Sequence, residues 1–162
     1  MKDINIYWEG PFTLDQCKSL HSNEDYGIYQ YYGEHIAYGQ DSLLYLGKAE
    51  KQTFGARLPA HNWENWCSSP YSIYLGRIFS DSLMVASEIE AQIDIAERIL
   101  LMAHNPSFNS SNLNRIGKSD SDVRVLNWGL RRQLLPEVSI SRWEGLNNIG
   151  NRLRPNFKAQ SK

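Results

Sequence analysis

The chain has 162 residues, 41% of them hydrophobic and 22% charged, which excludes a disordered polymer and leaves one domain with a sizeable core. Its longest apolar run, residues 99–103, is far short of the ~20 residues of a membrane helix. The formal charge of −1 conceals a split: residues 1–112 carry 7 basic against 14 acidic side chains, and residues 113–162 carry 10 against 4.

In chain order, residues 4–8 read as a short strand ended by Gly10-Pro11. Thr13 is placed to cap a helix running to residue 20. Residues 27–32 and 43–46 are strands, joined by a loop or hairpin extension with Gly33 and Gly39 near its ends. Residues 71–79 form a third strand. Ala86, Ile89, Ile93, Ala96, Leu100 and Ala103 then recur at steps of three and four, predicting an amphipathic helix over 82–104 that Asn105-Pro106 ends. Residues 109–122 are a polar loop, and 123–128 and 138–143 are two more strands. The pattern is α+β, a small sheet flanked by helices. A doubly wound parallel sheet is disfavoured, because the first two strands leave no room for a crossover helix.

The N-terminal residues Met1-Lys2-Asp3-Ile4-Asn5 lack the apolar stretch of a signal peptide. Cys17 and Cys67 are too few for a disulfide scaffold or a four-cysteine zinc site, and the expected setting is a reducing cytoplasm. His21, His35 and His104 have no zinc-ligand partners at useful spacing.

Four strings carry chemistry-bearing residues: Gly27-Ile28-Tyr29, Tyr45-Leu46-Gly47-Lys48-Ala49, Phe54-x-x-Arg57-Leu58-x-x-His61, and Glu97 followed by Pro106-Ser107-Phe108-Asn109. Each alone has a bland reading as a packed ring, a hairpin or a solvated charge. Together, and in this order, they resemble the GIY-YIG nuclease superfamily over residues 26–110. The resemblance implies a three-stranded antiparallel sheet flanked by helices. It implies hydrolysis of phosphodiester bonds, most readily in double-stranded DNA, with a divalent metal, Mg²⁺ or Mn²⁺, held by Glu97. The Arg57-to-His61 spacing is similar to that of the restriction-endonuclease branch. Residues 1–25 are then an N-terminal strand and helix, and 123–162 a basic C-terminal extension of the same domain. No membrane contact is expected, and two-strand cleavage would call for a dimer or sequential nicks.

On this reading Tyr29 is the general base, helped by Lys48 because a phenol ordinarily ionises near pH ~10. Tyr45 bonds the phosphate or a water, though the two tyrosine roles are interchangeable. Arg57 grips the phosphate through its planar fork of donors. His61 bonds Tyr29 or the phosphate, and Asn109 fixes the geometry around Tyr29. Asp94, three residues before Glu97, is read as a solvent-facing charge, with a supporting role beside the metal as the alternative. Three departures stand out. Leu46 replaces the usual isoleucine, Tyr29 and Tyr45 lie 16 residues apart, and Pro59 interrupts the helix between Arg57 and His61. Arg124, Arg131, Arg132, Arg142, Arg152, Arg154 and Lys158, interleaved with aromatic residues, are the candidate nucleic-acid-binding residues. The alternative is a catalytically silent nucleic-acid-binding module of the same fold.

Overall fold

The computed structural model describes residues 2–61, 70–110, 120 and 122–141. The elements are β1 (Lys2–Phe12), α1 (Leu14–Cys17), β2 (Gly27–His35), β3 (Gly39–Ala49), α2 (Phe54–Arg57) with a 3₁₀ turn over Leu58–Ala60, β4 (Ser72–Phe79), α3 (Ala86–His104), β5 (Val123–Gly129) and β6 (Glu137–Ser139).

The strands form one six-stranded sheet in the order β3-β2-β4-β1-β5-β6. It is mixed: β1 pairs antiparallel with β4 and parallel with β5. This corrects the expected small three-stranded antiparallel sheet flanked by helices; the sheet curls, and strand outweighs helix. The physical reason lies in β1. It is an 11-residue strand whose Ile4, Ile6 and Trp8 all face the core, and both of its edges are paired. That makes it an interior strand joining two groups of strands into one surface. The parallel β1–β5 pair joins residues more than a hundred positions apart, so no crossover helix between neighbouring strands is needed.

Of the two readings for the stretch between the first two tyrosine strings, the structure has the hairpin extension, β2 and β3 pairing out to His35 and Gly39. The local corrections are smaller. Helix α1 stops at Cys17, where the capping box of Thr13 and Gln16 holds only four residues. Helix α3 starts at Ala86 and ends where Asn105 turns left-handed (φ 42°). Pro59 converts the end of α2 into the 3₁₀ turn, and His61 beyond it is extended (φ −93°, ψ 136°). Strand β6 is three residues long. Trp63, Trp66, Cys67, Trp143 and Phe157 lie outside the described residues. No helix among the described residues is long and apolar enough to cross a membrane.

The core divides at the sheet. On one face α3 packs Ile93, Ala96, Ile99 and Leu100 against Ile4, Ile6, Trp8, Ile28, Leu46, Val125 and Val138. On the other, Phe54, Leu58 and Cys17 cover Tyr29, Tyr31, Leu44, Ile73 and Leu75. Burial pushes the Cys17 thiol up to about 11, which leaves it a packing residue and no nucleophile.

Candidate active site

Tyr29 stands on β2, fully buried, with Gly47 of β3 directly across the ladder. A Cβ at position 47 would lie 2.5 Å from the Tyr29 hydroxyl oxygen and 2.6 Å from both its Cζ and the Tyr45 ring. Only a glycine lets the phenol lie across the neighbouring strand. At Gly27 the demand comes from the backbone: φ is +151°, and a Cβ would collide with the carbonyl oxygen of Gly76 on β4. Gly47 thus clears the floor on which the tyrosines lie, while Gly27 lets β2 approach β4 closely.

Around that floor the rings converge. Tyr29 and Tyr45 stack with centroids 6.1 Å apart and planes 27° from parallel. The His61 ring is 5.8 Å from Tyr45, and its Nε2 is 3.0 Å from the Tyr29 hydroxyl. The kink at Pro59 therefore does not prevent His61 from reaching the site; the extended chain after the 3₁₀ turn delivers it.

Burial pushes the Tyr29 hydroxyl well above the ordinary phenol range, and the neighbouring Tyr45 adds to the effect. The Arg57 guanidinium opposes it by charge and hydrogen bonding. Tyr45 is raised by burial and then by the charge of Glu97. His61 is lowered, by burial and then by Arg57, which favours the neutral imidazole. Arg57, at the C-terminal end of α2, thus acts on Tyr29, Tyr45 and His61 alike.

Glu97 projects from α3 and is 7% exposed. Its Oε2 is buried without a hydrogen bond, 3.5 Å from the Lys48 ammonium. Burial raises the Glu97 carboxyl, while Lys48 opposes that shift. Among the described residues no three His, Cys, Asp or Glu side chains are arranged to hold a metal ion together. A single buried carboxylate oxygen lacking a donor fits a hard cation that keeps most of its water, as Mg²⁺ does.

The remaining expected residues, Lys48 and Asn109, bond groups other than the Tyr29 hydroxyl. Lys48 sits among carboxylates, 3.0 Å from Glu50 and bonded to Asp94. Asn109 is turned to the backbone of β3, between Tyr45 and Gly47. Its side chain clips the main chain of Leu46, donating to the carbonyl at 2.8 Å and accepting from the N–H at 3.0 Å. The Phe108 N–H donates likewise to the Leu44 carbonyl at 2.9 Å. Strand β3 is a sheet edge, so this loop satisfies backbone groups that would otherwise face outward, and it locks the strand between Tyr45 and Gly47.

No family model, curated protein or solved structure matches the chain.

Sequence reasoning missed the charged chain behind Glu97. Asp94 bonds both Lys48 and Arg98, and Arg98 grips the fully buried Asp120 with two bonds of 3.0 Å. The four-residue step from Asp94 to Arg98 on a helix is a readable signal; Asp120, in a polar loop, offers none.

The described basic candidates are engaged within the protein. Arg124 forks onto Asp3 at 2.9 and 2.7 Å. Arg131 donates to the Leu134 carbonyl. Arg132 lies 5.2 Å from both the Tyr32 and Tyr74 rings and bonds Asp41. Arg142, Arg152, Arg154 and Lys158 lie outside the described residues.

Proposed function

We propose that the chain is a metal-dependent endonuclease of the GIY-YIG type, acting on nucleic acid and in the first place on double-stranded DNA. The observation that carries this reading is the convergence of Tyr29, Tyr45, Arg57 and His61, from three separate segments, over a floor cleared by Gly47. Glu97 acts electrostatically on both tyrosines from α3. Phosphodiester hydrolysis needs a proton acceptor, a cationic grip on the phosphate and a counter-charge for the leaving oxygen. This set contains a phenol, a neutral imidazole, a guanidinium and a buried carboxylate.

Burial disfavours a standing Tyr29 phenolate, so Tyr29 works as a relay. With His61 protonated on Nδ1, its Nε2 accepts the Tyr29 proton across 3.0 Å as the phenol oxygen takes one from the attacking water. Arg57 holds the scissile phosphate against the tyrosine pair. Asn109 keeps the β3 main chain in register beneath them. A divalent cation held by Glu97 would supply the counter-charge at the phosphate and the leaving oxygen.

A plasmid-nicking assay with Mg²⁺ or Mn²⁺ tests the reading. Tyr29→Phe and Glu97→Gln are expected to lose roughly 10²–10⁴ in rate while remaining folded. Wild-type protein that cleaves no duplex, single-stranded, branched or RNA substrate would overturn it, as would full cleavage by Glu97→Gln.

A further inference from the structure

We propose that Asp94 is a positioning residue that holds Lys48 back from Glu97, keeping the buried carboxylate available to a hard divalent cation. The inference rests on the nuclease reading above and concerns how its metal carboxylate is kept open.

The Lys48 ammonium has three carboxylates around it. It bonds Asp94, lies 3.0 Å from Glu50, and stops 3.5 Å from Glu97 Oε2, which is left without a hydrogen bond. A lysine is a compact cation on a flexible four-carbon stem. At 3.5 Å Lys48 is already in ion-pair range of Glu97 without a hydrogen bond, and a buried carboxylate draws a cation closer. What opposes closure is the competing pull of Asp94 and Glu50.

Asp94 is itself anchored from behind. Arg98, one turn along α3, bonds Asp94 with Nη1 and grips Asp120 with Nε and Nη2, both at 3.0 Å. Asp120 is fully buried. The chain therefore runs from a fixed interior carboxylate through a planar guanidinium to Asp94, then to Lys48, and ends just short of Glu97.

Without the Asp94 charge only Glu50 would still draw Lys48 away, so Lys48 would move closer to Glu97 and compete with a cation for it. Partners behind a metal ligand typically change affinity 10- to 100-fold. Mn²⁺ titration of the full chain without nucleic acid, by calorimetry and electron paramagnetic resonance, reads this directly. Asp94→Asn is expected to weaken Mn²⁺ binding by roughly 10- to 100-fold. The double variant Asp94→Asn with Lys48→Met is expected to recover the wild-type affinity, because the competitor is gone.

Wild-type affinity in Asp94→Asn overturns the proposal, and so does a double variant as weak as the single one. Should Asp94→Asn fail to fold, Lys48→Met alone decides: affinity at or above wild type is expected, and a loss overturns the proposal. Glu97→Gln separates the two readings. Mn²⁺ uptake unchanged in that variant, or absent from the wild type, overturns the nuclease site itself. Uptake that depends on Glu97 but ignores Asp94 overturns the present inference alone.

Discussion

Adding one methyl group at position 47 should disable the site while leaving most of the fold intact. In Gly47→Ala the new carbon would stand 2.5 Å from the Tyr29 hydroxyl oxygen and 2.6 Å from Cζ, against an ordinary contact beginning at 3.4 Å. The phenol must therefore retreat by nearly 1 Å. It cannot slide freely, because Tyr29 is fully buried with Tyr45 stacked beside it. Overpacking of this kind costs about 1–3 kcal/mol. At roughly 2–4 °C per kcal/mol for a chain of this length, the midpoint should fall by about 2–12 °C. A displacement of 1 Å at the reacting groups costs about 100-fold in rate. Nicking kinetics and a thermal melt on the same preparation give both numbers. A variant with wild-type melting and wild-type cleavage would show that the strand yields without moving the phenol, and would refute the steric argument for this glycine.

Asn109→Ala removes both bonds to the Leu46 main chain, leaving two edge-strand groups unsatisfied at about 1–3 kcal/mol each; urea unfolding and cleavage should fall together, and Asn109→Asp should recover neither fully because it cannot donate to the carbonyl. His104 donates Nδ1–H to the Leu100 carbonyl and accepts the Leu135 N–H on Nε2, both at 2.9 Å, so the folded state needs it neutral. Burial lowers its folded value below the usual 6.5, so below that pH the unfolded chain binds more protons and stability falls. Denaturant melts between pH 7.5 and 5.5 should show this loss in the wild type and a smaller one in His104→Gln; equal losses would contradict it. Neutralising Arg152 and Arg154 should reduce the slope of log binding against log salt by ~0.9 for each phosphate that is no longer neutralised. Neutralising Arg124, engaged with Asp3 at 2.7 Å, should cost stability and leave that slope unchanged.

What the sequence disclosed was local. The tyrosine strings, the glycines beside them and the periodicity of α3 are short-range patterns, and the strands and helix they predict are present. The sheet was hidden for the opposite reason. Residues 4–8 carry the alternation of a modest strand, but nothing nearby announces a parallel partner at Val123–Gly129. Non-local pairing decides whether a strand is an edge or an interior member, and local composition is silent on it. The same limit applies to charges. Lys48 follows the second tyrosine string, a position that suggests a place beside Tyr29, yet its ammonium points to Asp94 and Glu50. Arg132 reads as a phosphate ligand from its basic surroundings; its left-handed backbone (φ 56°) and its two aromatic neighbours hold it against the protein.

The clip on Leu46 divides one residue between two readers. The loop beyond α3 grips its peptide groups, and the interior beneath α3 receives its side chain. Neither reader senses the other's half. The interior can exchange one aliphatic shape for another at this position while the loop's grip on the backbone is untouched. Drift in the core is thereby insulated from the alignment of the tyrosines.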